Sequence, residues 1–243
     1  MSDNTDILNS YCRIRKLIGI LGFLLPILIV IFYGDFLPSI SHYYYTRSAL
    51  FFIAILAAFG FFLISYRGYK EPENKKKKWR LSDDFVTHVG GFAVLIVVLL
   101  PTACTDKVLE ICTVCPLSGF CLFGHKNLTI NIFHLISAAI FFLSMAYMSI
   151  SNFTRGNDKK YHVFYTLCGW IIIGALGLLF IEFLIRIKID NFNLTGMDVY
   201  ILETIMVFSF AISWLLKGRT IEYVTSVLHR VKREIRLKED GNK

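Results

Sequence analysis

Charged residues are scarce in this sequence. Only 18% of its 243 residues are Asp, Glu, Lys or Arg, whereas 55% are hydrophobic. A surface helix of a soluble protein combines an apolar stripe with a polar opposite face, but residues 50–63 and 92–100 are apolar on every side. Too few polar residues remain to cover several buried helices of this kind. The composition therefore excludes an ordinary soluble domain and predicts a membrane protein.

Six apolar stretches divide the chain, and each has the length that crosses a hydrocarbon layer of about 30 Å. They lie at residues 17–33, 48–66, 85–103, 130–150, 161–185 and 199–216. No small-x-small cleavage pattern follows the first stretch, so we interpret it as a span and not as a cleaved signal peptide. The predicted fold class is all-α, a polytopic membrane protein. It comprises a six-transmembrane-helix bundle over residues 1–217 and a basic amphipathic tail over residues 218–243.

Basic residues are distributed unequally among the connections. The N-terminal segment, the second and fourth loops and the tail hold 21 Lys and Arg, whereas the other side holds 5. The positive-inside rule then places both termini in the cytoplasm. The net charge of +8 needs no nucleic-acid partner, because anionic lipid headgroups are the natural counter-surface. We expect a multi-pass protein of a bacterial inner membrane or a plasma membrane.

Two basic segments on the predicted cytoplasmic side are candidates for contact with lipid. Residues 75–80 read KKKKWR, and the tail spaces its apolar residues as a basic amphipathic helix does. A specific site for acidic phospholipid is the alternative for the loop, and a docking surface for a cytoplasmic protein is the alternative for the tail. The residues expected at the lipid surface are Lys75, Lys76, Lys77, Lys78, Arg80, Arg230 and Arg233.

The third loop is rich in cysteine. It holds Cys104, Cys112, Cys115 and Cys121 on the predicted outward side, where thiols usually pair. We predict disulfides, and of the three possible connectivities we favour those in which Cys112 and Cys115 each pair with Cys104 or Cys121. By spacing alone the loop also fits a zinc site, and Cys112 and Cys115 have the outline of a redox CxxC without its strand-to-helix context. The other two cysteines, at positions 12 and 168, are expected to be free.

Polar residues at the outward ends of the spans predict a pocket there. An ionisable group in the hydrocarbon layer is costly and marks a functional site by default. The topology brings the first outward loop beside the outward ends of spans four, five and six. The predicted ligand-binding residues are Ser39, Ser41, His42, Tyr44, Arg47, His134, Glu182 and Glu203. At the opposite end we expect His88 to form a hydrogen bond between helices, beside Gly90 and Gly91, which permit close helix approach.

Three interpretations of this pocket stay open. In a purely structural one, Arg47 or Arg186 pairs with Glu182 or Glu203, and His134 bonds a backbone carbonyl. In the second, the pocket binds a lipid headgroup or another small anion. In the third, its two histidines hold a catalytic Zn²⁺, but the chain has no HExxH or HxxxH spacing. We therefore expect no metal and no other cofactor.

Two short motifs carry a resemblance to a known superfamily. Pro38-Ser39-Ile40-Ser41 follows the first span, and residues 134–142 (HLISAAIFF) open the fourth. They resemble the P-x-I-S and H-x-x-x-A-x-x-F-F patterns of the Frag1/DRAM/Sfk1 group and of the bacterial DUF998 membrane proteins. The resemblance implies six helices and a role in lipid handling or membrane organisation. The residues of this chain that correspond to the motif positions are Ser39, Ser41 and His134. The chain departs from it in its triple tyrosine, its cysteine-rich loop and its basic tail.

The sequence contains no catalytic motif and favours a non-enzymatic role. Our first hypothesis is a membrane protein whose outward pocket binds a lipid headgroup or small ligand in membrane organisation or lipid handling. An oligomeric channel or transporter is less favoured, because no span carries a regular series of polar residues that would line a pore. A membrane-embedded lipid hydrolase is the third hypothesis. The expected partners are membrane lipids, a second copy of the chain and a cytoplasmic protein at the tail.

Overall fold

The structure, a computed structural model, describes residues 2–68, 80–104, 127–155, 159–188 and 196–218. These residues contain six α-helices and no strand, which confirms the all-α class. A short 3₁₀ helix, Ile40–Tyr45, lies between the first two α-helices. The α-helices are α1 (Ser2–Tyr33), α2 (Ala49–Ser65), α3 (Asp83–Leu99), α4 (Leu128–Tyr147), α5 (His162–Lys188) and α6 (Asp198–Lys217).

Within the described ranges, four helical segments are long and apolar enough to cross a membrane. They are Cys12–Tyr33, Leu128–Arg155, Lys159–Arg186 and Asp198–Lys217. The helix α2 is apolar but has 17 residues, and α3 has the same length. The structure thus agrees with a helical membrane protein, and the count of six spans stays a prediction.

The polarity of the bundle is inverted relative to a soluble protein. Large apolar side chains such as Leu50, Val163 and Phe180 are more than half exposed on the helix surfaces. The polar side chains of Thr87 and Ser213 are fully buried. Soluble proteins leave some apolar surface exposed but seldom bury so many polar groups beneath it. This arrangement suits a hydrocarbon solvent, in which polar groups must find partners inside the protein.

The six helices form a closed ring. Each helix packs against its neighbours in sequence, and α6 returns to pack against α1. Phe59 of α2, Phe141 of α4 and Phe210 of α6 meet near the centre, with ring centroids 5.3 to 6.4 Å apart. All three rings are almost completely buried. This aromatic cluster fills the middle of the ring and divides its interior into two ends.

Local sequence explains where the helices end. Gly34 follows α1 with a φ of +92°, a conformation that glycine adopts without strain. The predicted third span was too long at its C-terminal end, because Pro101 moves Leu100 out of the helical region, to φ −115° and ψ 88°. In contrast, α4 continues beyond its predicted end through a π turn at Met148–Asn152 and a 3₁₀ turn at Phe153–Arg155.

Glycines bring α2 and α3 into close contact. A Cβ atom added to Gly91 would lie 2.9 Å from the carbonyl oxygen of Gly60 and 3.1 Å from the backbone nitrogen of Ile64. Backbone atoms cannot move aside as the end of a flexible side chain can. The predicted close approach at Gly91 is therefore confirmed, and the packing depends on the missing side chain.

We expect Gly91→Ala to lower the melting temperature in detergent. Overpacking of a tight contact costs roughly 1–3 kcal/mol, because the two helices must separate. Gly174→Ala in α5 is the matched control, since nothing lies within 4 Å of its added Cβ atom. That control should keep or raise the melting temperature, because alanine is the better helix former. Equal melting temperatures for the two variants would contradict the close contact.

His88 has a different role from the predicted one. It is exposed, and its Nδ1 atom bonds the carbonyl oxygen of Asp84 in its own helix. The interhelical role was therefore wrong. The inward face of α3 is formed by Thr87, Gly90, Gly91 and Val94, and His88 lies one residue away from it.

A buried ion pair joins α3 to the extension of α4, and the sequence did not predict it. Asp83 Oδ1 and Arg155 Nη1 are 3.3 Å apart, and each side chain is 6% exposed. Arg155 Nη2 also donates to the carbonyl oxygen of Leu81 (2.6 Å) and to Oδ1 of Asn152 (2.7 Å). Ser82 caps α3 as predicted, because its Oγ accepts the N–H of Phe85. The ion pair of Asp83 and Arg155 and the hydrogen bonds of Arg155, which we call the polar clamp, thus join α3 to the extension of α4 at this end of the bundle.

Candidate functional site

The 3₁₀ helix covers the other end of the bundle, which we call the site end. Ser39 precedes this helix, and its Oγ accepts the N–H of Ser41 (3.1 Å). Tyr43 is fully buried, donates its hydroxyl to the carbonyl oxygen of Asp35 (2.9 Å) and accepts the N–H of Leu37 (3.1 Å). Burial raises the pKa of Tyr43 to about 12, so the hydroxyl stays protonated. These bonds fix the loop over the ring.

Glu203 of α6 accepts hydrogen bonds from the loop that precedes and includes the 3₁₀ helix. Its Oε2 atom accepts the hydroxyl of Ser39 (2.9 Å) and the backbone N–H of Ile40 (2.6 Å). The structure therefore brings two of the predicted pocket residues together. The partners of this carboxyl group are a hydroxyl and an amide. Of the pairs that the structural interpretation left open, the structure contains Arg186 with Glu182.

Ser41 and His134 form a hydrogen-bonded pair. His134 Nδ1 lies 2.7 Å from the carbonyl oxygen of Leu100, where α3 has ended and the carbonyl accepts a side-chain donor. A carbonyl only accepts, so Nδ1 carries the hydrogen of the neutral imidazole. The remaining ring nitrogen, Nε2, lies 3.0 Å from Ser41 Oγ and accepts its hydroxyl. His134 is 2% exposed, which makes this a buried serine–histidine pair with a fixed tautomer.

His42 adds a second histidine to this end. Burial and, secondarily, electrostatic repulsion from the protonated form of His134 lower the pKa of His42 from 6.5 to about 4. The ring is therefore neutral at physiological pH. Its Nδ1 atom is buried and has no hydrogen-bond partner in the described part of the chain. A buried polar atom without a partner is uncommon and calls for a reason.

An apolar cavity of about 50 Å³ lies beneath the 3₁₀ helix. Ser41 and Glu203 are its polar lining residues, and apolar side chains from α1, α2, α3, α4 and α6 supply the rest of its wall. The cluster of Phe59, Phe141 and Phe210 forms its far end. One water molecule needs roughly 10–15 Å³ and several polar partners. The cavity is larger than that, and its walls suit hydrocarbon better than water.

The other predicted pocket residues have different surroundings. Tyr44 packs edge-on against Phe52, a lining residue, with ring centroids 6.2 Å apart. Arg47 is exposed, and its Nη2 donates to the carbonyl oxygen of Tyr33 (2.7 Å) at the end of α1. Glu182 pairs with Arg186 one turn further along α5, a helix that contributes nothing to the cavity wall. The structure therefore places Arg47 and Glu182 outside the cavity.

Several predicted residues lie outside the described ranges. Arg80 is described and exposed, and Cys104 is described and buried. Cys12 and Cys168 are free thiols, as predicted. Among the described residues, no group of three His, Cys, Asp or Glu side chains could hold a metal ion. The predicted residues outside the described ranges are Lys75, Lys76, Lys77, Lys78, Cys112, Cys115, Cys121, Arg230 and Arg233.

Sequence reasoning left one part of this site unspecified and missed another. The structural interpretation expected His134 to bond a backbone carbonyl, as it does, but only Pro101, which ends α3 nearby, signals that the carbonyl of Leu100 becomes accessible there. The cavity has no signal in any single segment, because five α-helices and the 3₁₀ helix enclose it together.

Comparison with known proteins gives a family and no activity. No curated protein and no solved structure matches the chain. Residues 24–218 match a family described as a family of unknown function, DUF7103. The match begins within α1 and ends directly after α6, so it includes the 3₁₀ helix, Ser41, His134 and Glu203. The chain belongs to this family of unknown function, DUF7103.

Proposed function

We propose that the protein is a multi-pass membrane protein whose site end faces outward and binds a lipid, in lipid handling or membrane organisation. The proposal includes six spans, cytoplasmic termini and a bacterial inner membrane or plasma membrane. The apolar helix surfaces and the 21-to-5 distribution of basic residues support this placement. The basic loop and tail then face the anionic leaflet.

The cavity is the observation that carries this proposal. Its hydroxyl and carboxyl groups lie at the end covered by the 3₁₀ helix, and its remaining wall is apolar. Binding sites for small molecules commonly combine apolar walls with a few polar groups that fix the orientation of the ligand. This distribution fits an amphiphile whose polar end lies at Ser41 and Glu203, with a short length of its hydrocarbon in the cavity of about 50 Å³ and the rest of the chain outside it.

The resemblance to the Frag1/DRAM/Sfk1 group and to the DUF998 proteins supports the same proposal. Its motif residues Ser39, Ser41 and His134 all take part in the hydrogen bonds at the site end. We also propose that disulfides close the third loop, for which the buried Cys104 at the described edge of the loop is support. Peptide mapping without reduction tests that pairing.

The test is lipid retention by protein purified in a mild detergent, measured by native mass spectrometry. Ala138 lines the cavity, so Ala138→Phe should fill it and abolish retention of the lipid found on the wild type. Ala54→Phe on the exposed face of α2 is the matched control and should retain it. The helical circular dichroism of both variants should equal that of the wild type. Retention of the same lipid by a folded Ala138→Phe variant would overturn the proposal.

A further inference from the structure

We propose that Ser41 and His134 form a catalytic dyad for acyl transfer from a lipid ester, with Ser41 as nucleophile and His134 as general base. The inference rests on the proposed function, because its substrate is the amphiphile held in the cavity. It goes further by assigning covalent chemistry to one atom, Ser41 Oγ.

The geometry of the pair meets the requirement for an activated nucleophile. A serine hydroxyl becomes reactive when a base within about 2.6–3.2 Å accepts its proton and a third group orients that base. Ser41 Oγ is 3.0 Å from His134 Nε2, and the carbonyl oxygen of Leu100 is 2.7 Å from Nδ1. The carbonyl occupies the role that a carboxylate has in a serine–histidine–aspartate triad. It fixes the tautomer in which Nε2 is the acceptor of the Ser41 hydroxyl.

The position of Ser41 in the cavity wall indicates the class of substrate. Ser41 is a cavity-lining residue at the polar end, and the apolar wall begins beside it. An acyl chain in the cavity would bring its carbonyl carbon to this boundary. Two other buried serines are bonded differently, because Ser48 donates to the carbonyl oxygen of Ile29 (2.8 Å) and Ser149 donates to Ser213 (3.0 Å). Neither of them lines the cavity.

His42 follows the nucleophile in sequence, and its buried Nδ1 atom has no hydrogen-bond partner among the described residues. An acyl transfer places negative charge on the carbonyl oxygen in the transition state, and a preorganised N–H that bonds this oxygen accelerates the step. We assign this role to His42.

The reaction proceeds in two balanced halves. Ser41 Oγ attacks the ester carbonyl carbon while its proton passes to His134 Nε2. The bond from carbon to the alkoxy oxygen breaks, and the leaving alcohol takes that proton, which leaves an ester on Ser41. A hydroxyl compound, water or an acceptor alcohol, then attacks the same carbon while its proton passes to His134. Ser41 Oγ leaves with this proton, and the dyad is restored.

The experiment is covalent labelling of the full chain in detergent with an alkyl fluorophosphonate. Its phosphorus reacts with an activated serine with loss of fluoride, and its alkyl chain can enter the cavity. We expect a phosphonyl adduct on Ser41, located by peptide mass spectrometry, and at least tenfold slower labelling in His134→Gln. Ser41→Ala should remove the adduct, whereas the control Ser48→Ala should keep it. His42→Phe should slow labelling without removing it.

The outcomes separate this inference from the proposed function. If wild-type protein retains its lipid but forms no adduct on Ser41, the dyad is wrong and lipid binding stands. An adduct that forms equally fast in a folded His134→Gln variant also overturns the dyad. If lipid is neither retained nor displaced by the probe, the proposed function fails as well. The first outcome, lipid retention without an adduct on Ser41, is measured on the wild-type protein alone. The inference is therefore tested even if a variant does not fold.

Discussion

The variant Arg155→Met is expected to lose about 3–5 kcal/mol of stability, the cost typical of removing one partner of a buried ion pair. Its carboxylate partner Asp83 would remain buried without the charge of Arg155, since both side chains are 6% exposed. The carbonyl oxygen of Leu81 and the amide oxygen of Asn152 would lose a donor too. Reversible denaturation in mixed micelles, followed by circular dichroism, measures the loss.

The matched control is Arg80→Met, because Arg80 is exposed and exposed charges contribute little. The double variant Asp83→Asn with Arg155→Met should be more stable than the sum of the two single losses predicts, because residues in contact are coupled. Strict additivity, or a loss of less than about 1 kcal/mol for Arg155→Met, would show that the pair is not a clamp.

Replacing Glu203 by leucine should have the largest effect on the site. The change leaves the hydroxyl of Ser39 and the N–H of Ile40 without their acceptor, and each buried group left unpaired costs about 1–3 kcal/mol. The 3₁₀ helix should then leave the end of the ring. Since each 1.4 kcal/mol is a factor of ten, lipid retention and Ser41 labelling should each fall at least about tenfold.

Glu203→Gln should have a smaller effect, because its amide oxygen can still accept one of the two donors. Glu182→Gln is the matched control. It makes the same change in a carboxyl group that pairs with Arg186 and lies outside the cavity wall, so lipid retention should equal that of the wild type. Wild-type retention and labelling in a folded Glu203→Leu variant would show that this carboxyl group does not hold the loop.

The helices could be predicted because hydropathy and length are local properties. The grouping of Ser39, Ser41, His134 and Glu203 was also accessible, because alternating spans place their ends on the same side. The placement of Arg47 and Glu182 failed for a different reason. A span that is apolar on every side does not specify which face turns inward, so the rotation of α5 about its axis, which leaves Glu182 outside the cavity wall, cannot be read from the sequence.

The clamp between Asp83 and Arg155 shows the same difficulty. Arg155 fits the positive-inside pattern, and Asp83 fits the first turn of a helix, so each residue had a sufficient local explanation. The two are distant in sequence, and only the packing of α3 against the extended α4 brings them to 3.3 Å. The cavity depends likewise on the combined shapes of side chains from separate helices.

The closure of the ring by α6 has a consequence for biosynthesis. Helices enter the membrane in the order in which the ribosome makes them, and α6 is the last of the six. Until it arrives, the groove between α1 and the rest of the bundle is open, and the loop that carries Ser39 and Ser41 lacks the carboxyl group of Glu203. A nascent chain therefore cannot form the hydrogen bonds from Ser39 and Ile40 to Glu203 before its last described helix is made.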